Sequence, residues 1–341
     1  RSRGLGDVYK RQVSIEDIKK LRAMTGAGLA DVKKALTEAE GDFDKAKELL
    51  RERGLAIAAK RSDRETSNGC VLVKKVNDFA AIIALKCETD FVANGADFIK
   101  LTSDILDAAI AAKAHTLDEV KALKVGDADA QAAVTQRSGI TGEKMELDGY
   151  CVLEGDNIEV YDHMNKHTLC TMVQLNENNE EAGHKVAMQV AAMRPVALDE
   201  SSVSEETKKS ELEVAVAKTK EELVEKAVNA ALKKAGINPA HVDSEEHIES
   251  NTKKGWLTPE QAEEARNIKK TVGEEKAATL NPTMIQNIAN GRLAKFFKEN
   301  CLVDQEFQFG DGDKQTVAQY LASQSKDLKI VAYQRFTLAA E

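Results

Sequence analysis

Aromatic residues make up only 4% of this 341-residue chain, and it has just four prolines and one tryptophan. Long apolar runs are missing too. The longest strictly apolar stretch is 79–85, far too short to span a bilayer as a helix, so a transmembrane helical protein is excluded. No CxxC occurs, and the five cysteines are odd in number and widely spaced. They read as reduced thiols of a cytosolic protein, mostly small core residues, and not as a disulfide frame. There is no GxxxxGK[ST], GxSxG, HExxH or kinase motif set, so the common phosphate-binding and hydrolytic constellations are absent. Positive charge is in deficit: 48 Lys and Arg face 57 Asp and Glu, a formal charge of −9. A broad nucleic-acid or anionic-membrane surface needs the opposite sign, so neither is expected as a direct partner.

What is present is an ordinary globular apolar share of 42%, together with abundant Ala, Glu and Lys. This composition favours helices, some of them long and solvated, in a chain whose length suits two or three domains. The first twelve residues, RSRGLGDVYKRQ, are basic and have neither the apolar segment nor the small-residue cleavage site of a secretory signal. They are expected to be a foreign or artefactual extension and are left out of the fold.

The organisation expected from periodicity is α+β. Residues 13–58 read as a three-helix module. Ser14 is its first cap, the turn Thr25-Gly26-Ala27-Gly28 follows, and Leu29, Val32, Leu36 and Ala39 mark the second helix. Gly41 and Asp42 then open the third. Such a small unit reads as an appended docking module, joined by a polar linker at 59–68. Residues 69–76 and 79–88 form a hairpin about Asn77-Asp78, followed by helices at 97–114, 117–123 and 128–137. Strands at 157–161 and 168–175 and a helix at 180–193 repeat that order. The core therefore reads as two related α+β subdomains with small antiparallel sheets, one at 69–150 and the other at 151–203 with 298–341. Between them, 204–297 is an inserted helical hairpin or coiled coil, with the capping box Thr258-Pro259-Glu260-Gln261 starting its return helix. The tail is expected to hold a strand-like 307–309, a turn, a helix from Thr316 and a strand at 328–338.

Several segments invite a chemical reading. GAGLAD at 26–31 lacks the third glycine and the preceding strand of a dinucleotide fingerprint, so it reads as a helix–helix turn. His163, His167 and Cys170 suggest zinc, but they span a strand–turn–strand without a fourth ligand, and surface or interface histidines are the plainer expectation. GDGD at 310–313 lacks the downstream Glu of a calcium loop and reads as a turn. CETDFVAN at 87–94 stands at a strand end. Either Thr89 or Asp90 caps a helix with Phe91 turned into the core, or Asp90 and Phe91 face outward as a recognition element.

LRAMTGAGLADVKKAL at 21–36 and CETDFVAN resemble the two signatures of the elongation factor Ts family, and the order of parts is similar from about Val13 to Leu338. AAKRSDRETSNGCVL, FFKENCLVDQEF and the long insertion resemble the version found in Bacteroidetes-type bacteria. The resemblance implies a UBA-like N-terminal module and a cytoplasmic guanine nucleotide exchange factor that performs no covalent chemistry and holds no cofactor or metal. Its partner is elongation factor Tu, GDP-bound and nucleotide-free. It implies that Thr89, Asp90, Phe91 and Val92 reach toward the magnesium site of Tu, Asp90 with a carboxylate and Phe91 as an apolar wedge. Leu29, Ala30, Val32 and Lys33 would dock the N-terminal module, and His163, Gln308 and Phe309 a second surface. The family often has Met-Met and Cys where Leu29, Ala30 and Val32 stand here, and an aliphatic residue in place of Gln308. A helical adaptor acting only through 13–58, or a zinc enzyme built on His163, His167 and Cys170, are the competing functions.

Overall fold

Capping chemistry fixes the first three helices. The computed structural model describes residues 13–339 except positions 26, 62, 311 and 313, so the basic prefix and half of the GDGD turn lie outside the described residues. Ser14 Oγ accepts the Asp17 amide at 3.0 Å and starts α1 (Ile15–Thr25). After α2 (Leu29–Glu38), Gly41 adopts φ +83°, a conformation in which a Cβ would be strained, and its N–H closes on Leu36 O at 2.9 Å. Asp42 Oδ1 then accepts the amides of Asp44 and Lys45, opening α3 (Phe43–Ala59). Ile18, Leu21, Val32, Ala35, Leu36 and Ala46 form the buried centre of this module.

Two compact units follow from the packing of the described residues: those up to Arg194 together with those from Phe307 onward, and those of Pro195–Glu306. In the first unit, β1 (Asn68–Val76) and β2 (Phe79–Cys87) form the expected antiparallel hairpin, with Asn77 at φ +54° in the turn. Next come α4 (Asp90–Ala93), α5 (Ala96–Ala112), α6 (Leu117–Ala122), the short ribbon β3 (Lys124–Val125) with β4 (Ala128–Asp129), and α7 (Ala130–Thr141). The chain returns as β5 (Met145–Glu154), which pairs antiparallel with β2 and gives the order β1-β2-β5. A second sheet has the same plan. The hairpin β6 (Ile158–Asp162) and β7 (Leu169–Leu175) is followed by α8 (Glu180–Met193), and a later strand joins the central β7.

The alternation of β2 explains the layering. Phe79, Ala81, Ile83, Leu85 and Cys87 pack with Phe98, Ile105 and Val134 of the helices. Ala80, Ile82 and Ala84 face the other sheet, against Ile158, Cys170 and Met172. Because successive strand residues point to opposite faces, a strand buried on both sides reads as a continuous apolar run. The sheets approach so closely at Gly149 that a Cβ there would lie 2.3 Å from the Phe336 ring. An equally tight approach joins the N-terminal module to the first sheet's helices: a Cβ on Gly139 of α7 would lie 2.3 Å from Gly54 Cα of α3.

The second unit is helical: α9 (Glu205–Lys234), α10 (Glu245–Lys253), α11 (Pro259–Ala278) and α12 (Pro282–Asn300). Helix α9 packs against both α11 and α12. Val228, Leu232, Ile248, Leu257 and Ala265 supply one centre, and the capping box at Thr258 and Gln261 forms as expected. Back in the first unit, Thr316 caps α13 (Val317–Gln324), and β8 (Ile330–Thr337) completes the order β6-β7-β8.

Four expectations change. Strand β5 was not anticipated, and a subdomain division at 150/151 cuts through it. The helical unit spans Pro195–Glu306 and not only 204–297. Helix α10 is additional. Residues 307–309 form a turn rather than a strand, because Phe307 is drawn down onto Tyr320, the two rings stacking 4.1 Å apart. Among the described residues no helix is long and apolar enough to cross a membrane.

Candidate functional site

The segment 87–94 leaves the sheet where the β2–β5 ladder ends. The last ladder pair is Cys87 with Met145, and beyond it side chains take over from backbone pairing. The Glu88 carboxylate accepts the Lys144 amide at 2.6 Å and Arg64 Nη1 at 2.9 Å. The Lys144 amide, followed by Arg64, holds the Glu88 carboxyl below its ordinary range. Asn68 Nδ2 donates to Glu88 O at 2.9 Å. Thr89 is gripped from the same side: its amide donates to Glu143 Oε2 at 3.1 Å and its hydroxyl to Glu143 Oε1 at 2.7 Å.

Thr89, and not Asp90, is the cap of α4. It sits at φ −120°, ψ 152°, and its Oγ1 accepts the Val92 amide at 3.3 Å. Asp90 is the first residue of the helix. Among the described residues no hydrogen bond holds its exposed carboxylate, while its carbonyl accepts Asn94 Nδ2 at 2.8 Å. Phe91 does not turn into the core. Its side chain is 88% exposed, the largest exposure among the large apolar side chains described. Val92 and Ala93 supply the inward face, against the first sheet's core. The helix of four residues thus has one buried edge and a tip with a carboxylate beside a bare phenyl ring. Burial pushes the neighbouring Cys87 thiol up to about 12, so it stays protonated at neutral pH.

Of the N-terminal residues, Leu29, Ala30 and Lys33 lie on the surface, Leu29 with 54% exposure at the start of α2. Val32 is fully buried in the module's core. This corrects its assignment as a contact residue: it shares a face with Leu36 and Ala35 and acts by holding α2 in place. Met24, exposed near the end of α1, adds to the apolar surface on this module.

His163 lies in the β6–β7 connection, its Nδ1 3.1 Å from Tyr161 Oη. Tyr161 also packs edge-on to His184 of α8 at 5.5 Å. The adjoining Met164 is 64% exposed at φ +55°. His167 pairs with Asp162, and Cys170 is buried between the sheets, its thiol donating to Val71 O at 3.4 Å. These three residues therefore point to different surroundings and do not converge. Gln308 is exposed, and its backbone amide donates to Oε1 of the buried Gln189 of α8 at 3.0 Å. Phe309 is half-buried and edge-on to Phe307 at 6.3 Å. His163 and the 307–309 turn are thus both attached to α8.

Sequence reasoning did not find Glu143 or Gln189. Both act across long separations, and a polar residue in a loop or helix carries no local signal of a distant partner.

The family model described as Elongation factor TS matches residues 88–340. The chain is 62% identical over 330 residues to an Elongation factor Ts of Bacteroides fragilis, covering 96% of this chain and 99% of that relative. It is 60% identical to one from Parabacteroides distasonis over 329 residues, with the same coverage of both chains. An Elongation factor Ts of Porphyromonas gingivalis is 39% identical over 331 residues, again covering 96% and 99%.

Proposed function

The chain belongs to the elongation factor Ts family, and from that premise we propose that it is the guanine nucleotide exchange factor of elongation factor Tu, acting by disturbing the magnesium and phosphate site of Tu. The observation that carries the mechanism is the 88% exposure of Phe91 on a helix whose other side is anchored in the core. A free monomer gains nothing from leaving such a ring in water. At an interface, a desolvated aromatic is a typical energetic centre. Asp90, unengaged beside it, brings a carboxylate that competes for the cation or repels the phosphates it screens. Thr89 fixes the start of the helix and Val92 its seat.

Leu29, Ala30 and Lys33 form one docking surface, with Val32 supporting them from inside. His163, Gln308 and Phe309 belong to a second, carried by α8. The exchange factor binds both GDP-bound and empty Tu and must hold the empty form more tightly. Linkage then requires nucleotide to weaken its binding by the same factor. No nucleophile or acid/base pair is needed, and the protein works in the cytoplasm where translation takes place.

The test is release of fluorescent GDP from Tu of the same source. We expect the wild-type chain to accelerate it while hydrolysing no GTP. Unchanged off-rates at saturating chain would refute the proposal.

A further inference from the structure

We propose that Glu143 is a positioning residue for exchange, holding the Thr89–Phe91 tip in its projecting geometry. This inference rests on the proposed exchange function. Glu143 lies 54 positions from Thr89, in the connection between α7 and β5, yet it makes both available bonds to that residue. Its own position is fixed by the helix before it. Gly142 ends α7 at φ +73°. Ser138 Oγ donates to Glu143 O at 2.5 Å, and the Glu143 amide donates to Thr141 Oγ1 at 3.3 Å. The side chain is thus presented to the end of β2 by a turn bonded on both sides of its Cα.

The consequence for Thr89 is directional. A hydroxyl has one proton and two lone pairs. With the proton committed to Glu143 Oε1, a lone pair faces the Val92 amide and caps α4. Without the carboxylate, the hydroxyl is free to rotate and the Thr89 amide loses its acceptor. A helix of four residues has too few internal bonds to keep its direction unaided. Phe91 would then sample orientations other than the projecting one, without any loss of the contact surfaces on α2 or α8. Small displacements of a group that must enter a defined gap are expensive in rate.

The role is distinguishable from that of a charge acting on Tu and from plain structural support. In GDP-release titrations, Glu143→Ala should lower the maximal rate roughly ten- to a hundredfold, while the half-saturating concentration changes little. Glu143→Gln retains a carbonyl acceptor for the Thr89 amide and should recover most of that rate. If Gln is as poor as Ala, the carboxylate acts by its charge and positioning is overturned. Thr89→Val removes the same hydroxyl bonds from the other side. Its combination with Glu143→Ala should fall well short of the product of the two single losses, as should Glu143→Ala added to Phe91→Ala. Additive losses would mean that Glu143 works elsewhere. Hydrogen exchange of the free protein reads the clamp without Tu: the Thr89 and Val92 amides should lose protection in Glu143→Ala and keep it in Glu143→Gln. Unchanged protection in Glu143→Ala would overturn the proposal. Failure of the wild-type chain to release GDP would instead refute the exchange function itself.

Discussion

Phe91 sets the terms at the residue scale. Because its ring is exposed, Phe91→Ala should leave stability within about 0.5 kcal/mol, the usual range for surface substitutions, where a core phenylalanine would cost about 3–5 kcal/mol. Exchange should fall by about thirtyfold, the equivalent of the ~2 kcal/mol of a buried interfacial aromatic. Thermal melting and GDP release on the same preparation separate the outcomes. A large drop in melting temperature with exchange per folded molecule intact would return Phe91 to the core. Asp90 follows from the capping assignment: since Thr89 caps α4, Asp90→Asn and Asp90→Ala should be equally stable and equally slow in exchange. Much of this site was legible in CETDFVAN, where an acidic and an aromatic residue stand at a strand end. Two things were not. An aromatic after a cap reads equally well as core or as surface, because a single helical turn has no periodicity to decide it. Val32 carried the opposite ambiguity: the spacing Leu29, Val32, Leu36 marks one helix face, and only packing shows that Val32 lies inside while Leu29 lies at the rim.

Among elements, the contact of α3 with α7 leaves no room for a side chain at Gly139. Alanine normally favours a helix interior over glycine by about 1 kcal/mol. At Gly139, however, a Cβ meets the backbone of Gly54, which cannot rotate away. Overpacking of this kind costs about 1–3 kcal/mol, so steric conflict outweighs propensity. Gly139→Ala should loosen the N-terminal module and speed proteolytic cleavage between residues 60 and 67, and unchanged cleavage would show that the helices part without cost. Elements with strong local punctuation were legible. Helix α8 runs over the expected 180–193, since Asn179 caps it and Arg194 ends it in a left-handed conformation. Strand β5 was hidden by Asp148-Gly149, a dipeptide that ordinarily signals a turn. Here the glycine serves another purpose, admitting the Phe336 ring between the sheets. Helix α10 was obscured by its polarity, with Ile248 and Asn251 its buried residues.

For the whole molecule, acid should be the destabilising direction. Carboxyls held below their ordinary range include Glu88 by the Lys144 amide, Asp78 by Lys113, Glu119 by the His115 amide and Asp199 by Ser201. A depressed carboxyl contributes stability that is fully present above its unfolded value and is lost as pH falls through the folded one. Melting temperature should therefore be level between about pH 5 and 8 and fall below about pH 4. Glu88→Gln should lower the plateau and flatten the acid limb. A profile identical in slope to wild type would deny Glu88 its share. The placement of the helical unit carries a further consequence. It lies wholly between α8 and β8, so the partner of β7 is recruited across the longest chain separation of any ladder in the fold. The entropy of closing a loop grows only logarithmically, with each doubling of length costing about 0.6 kcal/mol. The helical unit can therefore lengthen or shorten by whole helices at small thermodynamic expense to the second sheet. The ladders of the first sheet, and with them the Thr89–Phe91 tip, are closed by shorter connections that do not include the helical unit.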